Sequence, residues 1–520
     1  MIALLLVAAQ ETAAPPAPVE RDLPAMLESI TADEIEAHVA ALAAPEMGGR
    51  GTGSPGYERA AAYVEAELRR LGLVGPGENG SYRLGYELDS IVADRCTFAV
   101  STGPGSAQAF APGRDFVPLL GSAEAAVAGE PVFAGFAIED RSERWLDLPE
   151  RKVRGKVVFA FTREPFADDR RSRRFAGLEA TDGSRIRAKA EAVAAAGGIA
   201  LVVVPDPGQQ PLADEPLGGV VPAPSGRLLD LERLRRRSFA DIPVVSVSRR
   251  VAAAVFGADP EAYYARLAKR KRPSLLDPAD ERIRVEIGVE WAEKPVRYEN
   301  VAALLPGRDG DGELVVLGAH LDHVGQNYLA SELWRSGTTA IHPGADDNAS
   351  GSAALLEVAE ALAGTRPRED VLFLWFFGEE LGLLGSREYC AAPLRPLDQT
   401  ILMLNLDMIG RTDPKEFQLG GLEEWPGWEK PVRQALQASR VRIRLDSRGG
   451  RDLYARSDQF SFHQAGVPGL FFFEGDLAAN ETYHRPSDVA ATFDGRKAAA
   501  VARVFLTLAR AVAFDGVRAR

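Results

Sequence analysis

Apolar runs separated by short polar turns dominate the second half of the chain. Five of these runs contain almost no polar residue and have the length of strands: 301–305, 314–318, 371–377, 401–406 and 469–473. Amphipathic helices are predicted between and after them, at 350–362 and 496–514. Strands that are apolar on both faces are typical of a mostly parallel sheet with helices on both sides. From residue 283 onward the pattern therefore predicts an α/β fold, with a mostly parallel mixed sheet sandwiched by helices.

Two further helices are predicted near the start of the chain, at 31–44 and 60–71. Thr31 or Asp33 can cap the first of them. The segment between the helices, GGRGTGSPGYE, is rich in glycine but follows no strand and lacks a GK[ST] sequence. We therefore interpret it as a helix connection rather than a phosphate-binding loop.

The middle of the chain has a different pattern. Short β-rich runs (PVFAGFAI, GKVVFAF, GIALVVVPD and IPVVSVS) surround an alanine-rich helix predicted at 184–196, and the charged stretch 269–281 is predicted to be a linker. This block contains no histidine, so we interpret it as an accessory domain inserted into the main one. The predicted organisation is a leader and linker at 1–20, the first part of the main domain at 21–110, the β-rich insertion at 111–282 and the rest of the main domain at 283–520.

Composition narrows the classes of function. A length of 520 residues predicts more than one domain, and a net charge of -13 argues against a nucleic-acid binder. No stretch approaches the ~20 apolar residues that span a bilayer. The first residues, MIALLLVAA, and the Pro/Ala segment after them resemble a secretory signal without its basic start. We therefore expect an exported protein, periplasmic or secreted.

The two cysteines, Cys96 and Cys390, lie far apart and have no metal-site spacing. They do not form a disulfide framework either, and we interpret Cys390 as a small buried apolar residue. Any metal must therefore be held by nitrogen and oxygen ligands.

Polar side chains stand where three of the predicted strands end. LVVLGA is followed by His320 and Asp322, VLFLWFF by Glu379 and Glu380 after a glycine, and TILMLNL by Asp407. In an open parallel sheet, functional sites collect beyond the carboxyl ends of the strands. Three apolar strands that each end in a possible ligand are hard to explain by packing alone.

Two more groups complete a possible metal centre. The turn HPGADDNASG places Asp347 just before a helix, and ETYHRPSD supplies His484 late in the chain. Five of the six histidines lie between residues 320 and 484, which favours a site there. Imidazole and carboxylate ligands suit zinc, and two ions that share a carboxylate can together activate water and polarise a carbonyl. The pair Glu379-Glu380 can supply one ligand and one free base, because neighbouring residues point in different directions.

Read in order, AHLDHVG, GADDNASG, GEELGLLGS, LNLDMIGR and YHRPSD resemble the signature segments of metallopeptidase family twenty-eight. That family includes bacterial leucyl aminopeptidases, aminopeptidase Y, glutamate carboxypeptidase II and the catalytically inactive transferrin receptor. The resemblance covers about 31–73 and 299–514, and the middle block resembles the protease-associated domain inserted in several members. It implies a zinc exopeptidase fold and an exopeptidase that acts on peptides.

The resemblance also implies two Zn²⁺ ions and a role for each ligand. Asp347 corresponds to the carboxylate that bridges the ions. His320 and Asp407 complete one ion, and Glu380 and His484 complete the other.

Three further roles follow from the resemblance. Glu379 corresponds to the general base, and Tyr483 to a tyrosine that in some members donates to the oxyanion. Asp322 is expected to accept a hydrogen bond from His320 and fix its tautomer.

Other polar residues near these segments match no ligand position. For His323 and His342 we expect supporting, substrate-contacting or plain loop roles, and for His463 a structural one. Asp346 is expected to shape its turn rather than bind metal. The long loop between His320 and the GADDN segment is predicted to line the substrate cleft, with Trp334 as a candidate contact.

Alternatives to an aminopeptidase remain open. A carboxypeptidase needs arginines for a terminal carboxylate, and Arg411, Arg451 and Arg456 are candidates. A cyclase or deacylase can use the same ligands. A binding protein like the transferrin receptor predicts missing ligands, and none of the expected ones is missing here.

Overall fold

The computed structural model shows how these segments are arranged. It describes residues 21–166, 172, 174–176, 181–205, 207, 223–224, 238–308, 312–325, 341–446, 451–475 and 477–519. The predicted leader at 1–20 and the loop containing Trp334 lie outside the described residues.

Helices occupy most of the predicted positions. The described α-helices are α1 Leu23–Ser29, α2 Ala32–Leu42, α3 Pro55–Arg70, α4 Glu150–Val153, α5 Ile186–Ala195, α6 Arg249–Phe256, α7 Pro260–Arg270, α8 Gly351–Leu362, α9 Leu384–Ala391, α10 Glu429–Ala438, α11 Gln459–Gln464 and α12 Gly495–Ala513. Thr31 caps α2, because its hydroxyl accepts the Glu34 N–H at 3.2 Å. The predicted linker 269–281 is wrong at its start, where Lys269 and Arg270 form the last turn of α7.

The strands are short in the middle of the chain and longer in the main domain. They are β1 Arg83–Ala93, β2 Thr97–Ser101, β3 Gln108–Ala109, β4 Phe116–Pro118, β5 Ala125–Gly129, β6 Pro131–Phe133, β7 Glu139–Asp140, β8 Trp145–Leu146, β9 Val157–Phe161, β10 Ala200–Val204, β11 Ala223–Pro224, β12 Val244–Val247, β13 Arg284–Val289, β14 Trp291–Leu305, β15 Leu314–His320, β16 Asp370–Phe376, β17 Thr400–Leu406, β18 Glu416–Gly420, β19 Arg444–Asp446 and β20 Gly469–Phe473.

Nine of the described strands form one sheet, in the order β11-β1-β14-β16-β15-β17-β20-β18-β19. Strands β16, β15, β17 and β20 run parallel at its centre, whereas β1 and β14 are antiparallel at one side. The α/β class and the mixed sheet with a parallel centre are as predicted from the apolar strands.

Helices cover the central strands on both faces. Val315 and Leu317 of β15 point into a core built with residues of α2, α3, α8 and α12. Val316 points the other way, into a smaller core with Tyr389 of α9 and Phe462 of α11. Successive residues of a strand face opposite sides, so a strand between two helical layers must be apolar throughout.

The middle of the chain builds its own sheets and its own core. Within the described residues, a five-stranded sheet has the order β4-β12-β10-β9-β6, and a four-stranded sheet has the order β3-β2-β13-β5. The associated apolar cluster extends from Ile91 to Trp291, beyond both ends of the predicted insertion 111–282. The block is thus β-rich, but its sheets also use strands from the flanking sequence.

A long two-stranded ribbon joins the block to the main sheet. Strands β1 and β14 pair antiparallel from Arg83 opposite Val301 to Ala93 opposite Trp291. Val301 belongs to the main core, and Trp291 to the core of the block. The chain therefore enters and leaves the block through neighbouring strands.

Candidate metal centre

Three adjacent parallel strands carry the predicted ligands to one edge of the sheet. His320 is the last residue of β15, Glu379 and Glu380 follow β16, and Asp407 follows β17. Because β15 pairs with both β16 and β17 in parallel, these side chains emerge on the same side. The turn Ala345–Ser350, directly before α8, adds Asp347 from a neighbouring position.

The first group of possible ligands surrounds His320. Its Nε2 lies 3.2 Å from Asp407 Oδ1 and 3.4 Å from Asp347 Oδ1. All three side chains are buried. The predicted first ligand set is therefore brought together.

The second group surrounds His484. Its Nε2 lies 2.9 Å from Asp347 Oδ2 and 3.2 Å from Glu380 Oε2. The two oxygens of Asp347 thus face different groups, one toward His320 and the other toward His484. This is the arrangement that a bridging carboxylate requires.

The spacing of these atoms fits zinc. Ligand atoms about 2.0–2.1 Å from a tetrahedral ion lie about 3.3 Å from one another. The His320–Asp407 and His484–Glu380 distances match that value, and the donors are imidazole nitrogen and carboxylate oxygen. The five residues present therefore fit two zinc ions.

The charges around the two histidines also favour a cation at this site. Burial alone lowers the pKa of His320, but Asp407, Glu379 and Asp347 around it raise that pKa well above its usual value. Burial is likewise outweighed at His484, where Glu380 and Asp347 raise the pKa to about 10. The carboxylates around both imidazoles thus favour a positive charge at this place, as a metal centre requires.

Glu379 and Glu380 differ although they are neighbours. At Glu380 burial is outweighed by His484 and His323, which hold the pKa of this carboxyl well below its usual range. At Glu379 burial comes first, and the nearby carboxylate of Glu380 adds to it, so the pKa is raised well above the usual value. Glu380 is thus held as an anion beside the two histidines, whereas Glu379 binds a proton more readily.

Asp322 supports the site in a different way from the one predicted. His320 Nδ1 is 3.0 Å from the backbone carbonyl of Asp322, whereas the carboxylate Oδ1 is 3.8 Å away, too far for a hydrogen bond. The carboxylate instead accepts the Thr52 hydroxyl at 2.7 Å and the Glu379 N–H at 3.2 Å. The histidine tautomer is thus set by the main chain, and the carboxylate positions the backbone of Glu379.

Arg50 is a supporting residue that the sequence analysis missed. It lies in the glycine-rich segment that we interpreted as a plain connection, and its side chain is fully buried. Its guanidinium donates to the carbonyls of Leu321 at 2.9 Å, Pro343 at 2.7 Å and Gly344 at 2.8 Å. It therefore joins the segment that follows His320 to the turn that carries Asp347. No spacing in the sequence indicates bonds to backbone carbonyls almost 300 residues away.

The remaining histidines and Asp346 have separate surroundings. His323 joins the group of His484, Asp347 and Glu380, with its Nδ1 2.7 Å from Glu380 Oε1. The carboxylate of Asp346 accepts the Gly410 N–H at 2.8 Å and belongs to neither metal group among the described residues.

His342 and His463 lie outside both groups. His342 Nδ1 is 3.2 Å from the Gly325 carbonyl. His463 packs among the rings of Trp425, Tyr454 and Phe460, which is a structural environment.

A cavity of about 410 Å³ opens onto both metal groups. Beside the acidic residues it has an apolar wall formed by Met408, Leu453, Phe471, Phe473 and Leu477. This combination of a charged end and an apolar wall is typical of a site for a small ligand or a chain end.

Tyr483 and Arg456 also line the cavity, and Arg456 Nη2 donates to the Tyr483 hydroxyl at 3.0 Å. Burial and the nearby Asp347 and Glu380 raise the pKa of Tyr483 far above its usual value, so its phenol stays a donor. Arg411 is bound to Asp488 instead, and the side chain of Arg451 lies outside the described residues.

Residues 300–509 match the model of peptidase family M28. This part of the chain is an M28 peptidase domain. All eight residues predicted as ligands or catalytic groups lie within the M28 domain.

Several relatives of the M28 domain are aminopeptidases by name. A probable leucine aminopeptidase of Arthroderma benhamiae is 30% identical over 233 residues, which cover 44% of this chain and 61% of that protein. Aminopeptidase YwaD of Bacillus subtilis is 33% identical over 154 residues, 28% of this chain and 32% of that protein. The chain thus spans about three fifths of the length of the fungal relative.

Among solved structures, an aminopeptidase from Aneurinibacillus sp. strain AM-1 superposes with a TM-score of 0.47 and 19% identity, over 95% of this chain and 96% of that one.

Proposed function

We propose that this protein is an exopeptidase with two catalytic zinc ions, and that it releases N-terminal residues from peptides. The observation that carries the proposal is the shared carboxylate of Asp347, with one oxygen toward His320 and the other toward His484. Glu379 stands beside them as a carboxyl with a raised pKa. The aminopeptidase names of the relatives support the substrate class.

The residues of the site have separate roles in the proposed hydrolysis. His320, Asp407, Asp347, Glu380 and His484 would hold the two ions, which supply Lewis acidity toward the substrate carbonyl and toward water.

Two side chains that are not metal ligands in this proposal, Glu379 and Tyr483, transfer or donate protons. Glu379 accepts the proton of the attacking water and passes it to the leaving amine. Tyr483, kept protonated by burial and the surrounding carboxylates, donates to the developing oxyanion. The apolar wall with Phe471 and Phe473 accommodates the side chain of the residue that is released. Export through the N-terminal segment remains a prediction of the sequence.

The Glu379→Gln variant tests this assignment. We expect hydrolysis of aminoacyl-nitroanilides to fall by about 10²–10⁴-fold, because the amide cannot take the proton. Zinc content should stay that of the unmodified protein, since Glu379 is not a ligand in this assignment. The exposed Glu424 supplies a control, Glu424→Gln, which should keep full activity. Full activity of Glu379→Gln, or activity that survives a chelator, would contradict the proposal.

A carboxypeptidase is the second candidate, because Arg456 lines the cavity. Guanidinium groups bind carboxylates with two parallel hydrogen bonds, so Arg456 could hold the C-terminus of a peptide. A panel of peptides blocked at either end separates the two activities. N-acetylation should abolish cleavage by an aminopeptidase, whereas C-amidation should abolish cleavage by a carboxypeptidase.

A further inference from the structure

His323 is a buried residue to which the hydrolytic mechanism gives no role. It follows Asp322 in the sequence HLDH, and its side chain is fully enclosed next to the second metal group. A histidine in this position can have one of three roles. It can be a further ligand, a hydrogen-bond donor to a ligand, or a side chain that only packs against its neighbours.

The contact distances separate these roles. His323 Nδ1 lies 2.7 Å from Glu380 Oε1, which is a hydrogen-bond distance. His484 approaches Oε2 of Glu380 at 3.2 Å and Oδ2 of Asp347 at 2.9 Å. His323 instead approaches Oε1 of Glu380, the oxygen that does not face His484. Nδ1 is also the atom of His323 that faces Asp347, at 3.8 Å. The geometry is therefore that of a donor to Glu380.

The surroundings of His323 fix the orientation of its ring. Its backbone N–H donates to the Arg50 carbonyl at 3.2 Å. The ring lies against Gly344, where an added Cβ would come within 2.5 Å of it. On another side it meets the His484 ring edge-on, with 5.4 Å between the centroids. A ring held on these sides can keep Nδ1 directed at Glu380.

We propose that His323 is a positioning residue for the second ion, donating from Nδ1 to Glu380 Oε1 so that Oε2 is presented beside His484 and Asp347. The inference rests on the proposed function, because it assumes that Glu380 is a metal ligand. Partners of this kind, one step removed from the ion, contribute about 10–100-fold to metal affinity. The effect should be confined to one of the two ions.

Zinc titration of two substitutions tests the proposal. His323→Ala removes the donor, whereas His323→Asn keeps an N–H group near the position of Nδ1. Competition with a chromophoric chelator should show two zinc ions per chain for the unmodified protein. His323→Ala should bind one of them about 10–100-fold more weakly and the other unchanged. His323→Asn should recover most of the lost affinity.

Two controls exclude a general disturbance of the fold. His38→Ala removes a partly buried histidine that likewise pairs with a glutamate, Glu357, but lies outside the metal groups. This variant should leave both affinities unchanged. In the presence of chelator, His323→Ala should melt at the temperature of the metal-free unmodified protein. The difference should emerge only as zinc is added, because a ligand stabilises the fold in proportion to its binding.

Three results would overturn the proposal. If His323→Ala binds both ions as tightly as the unmodified protein, the hydrogen bond does not position a ligand. If His323→Asn loses as much affinity as His323→Ala, His323 is itself a ligand. If the unmodified protein takes up no zinc, the proposed function fails as well, a result that differs from the first two because it appears without any substitution.

Discussion

At the scale of single residues, the predicted ligands follow apolar strands directly, whereas the residues that support them reach them from distant segments. His320, Glu380 and Asp407 stand out because a polar side chain directly after an apolar strand has no packing reason to be there. Arg50 and His323 leave no such trace, because their partners are backbone carbonyls and a side chain distant along the chain. Supporting contacts of this kind depend on the folded arrangement.

Arg50 gives a prediction about stability. Arg50→Lys should lower the free energy of unfolding by roughly 2–4 kcal/mol, because an ammonium group cannot reach all the carbonyls that the guanidinium satisfies, and each buried carbonyl left unpaired costs ~1–3 kcal/mol. Denaturant unfolding of the metal-free protein measures the change. Arg59→Lys, in the neighbouring helix α3, is a control at a half-buried arginine whose side chain donates to the Glu46 carbonyl. Equal stabilities of the two variants would contradict the role given to Arg50.

At the scale of elements, sequence patterns predict where strands and helices lie along the chain. They predict less well which of these elements pair or pack with one another. The runs that became β14 to β17 and β20 are apolar on both faces, which indicates central strands but not their order. In the order β14-β16-β15-β17-β20, β16 lies between two strands that precede it in the chain. Backbone hydrogen bonds create this order, and they do not depend on which side chains the strands carry. The short edge strand β19, Arg444–Asp446, carries charged residues and was not predicted.

Helix α12 gives a prediction at this scale. Its N-cap, Asp494, accepts the Arg496 N–H at 3.0 Å and the Lys497 N–H at 3.4 Å. Asp494→Ala should cost about 0.5–2 kcal/mol of stability, because these amides lose their acceptor. Asp494→Ser retains a capping oxygen and should restore most of the loss. Thermal melting of both variants and of the unmodified protein measures the difference. If Asp494→Ala melts at the temperature of the unmodified protein, the capping effect is excluded.

At the scale of the whole molecule, the main domain and the middle block each have a large apolar core of their own. The sequence showed the change of pattern in the middle of the chain, and the apolar cluster of the block extends from Ile91 to Trp291, beyond the predicted bounds 111 and 282. Strands β2 and β13 lie beyond those ends and pair with each other across almost 200 residues. Because each is short and mixed in polarity, only the pairing reveals that they belong to the block.

The core of the block contains an acid that should make its stability depend on pH. Asp147 is buried, and its Oδ2 accepts N–H bonds from Phe136 at 3.0 Å, Ile138 at 3.2 Å and the Trp145 indole at 2.9 Å. Burial outweighs these bonds and the nearby charge of Lys189, and raises the pKa of Asp147 to about 7. The folded block therefore binds a proton that the unfolded chain releases near pH 4.

The sign of the dependence follows from this raised pKa. The contribution of Asp147 is fully present below about pH 4 and is lost as the pH rises through about 7. Asp147→Asn keeps an acceptor oxygen without a charge, so this variant should lose less stability than the unmodified protein between pH 5 and pH 8. Denaturant unfolding across that range measures both proteins. Parallel pH profiles would show that Asp147 does not carry the effect.

The paired strands β1 and β14 have a consequence for how such a block can be gained or exchanged. Leu88 faces Val296 midway along the ribbon, so the chain departs for the block and returns from it about 5 Å apart. A cut at this level leaves two ends that a tight hairpin can close. It removes β11 and shortens β1 and β14, but it does not touch β15, β16 and β17, which carry the predicted ligands. The chain thus passes between the main domain and the middle block through one strand pair, and neither of these two strands carries a predicted ligand.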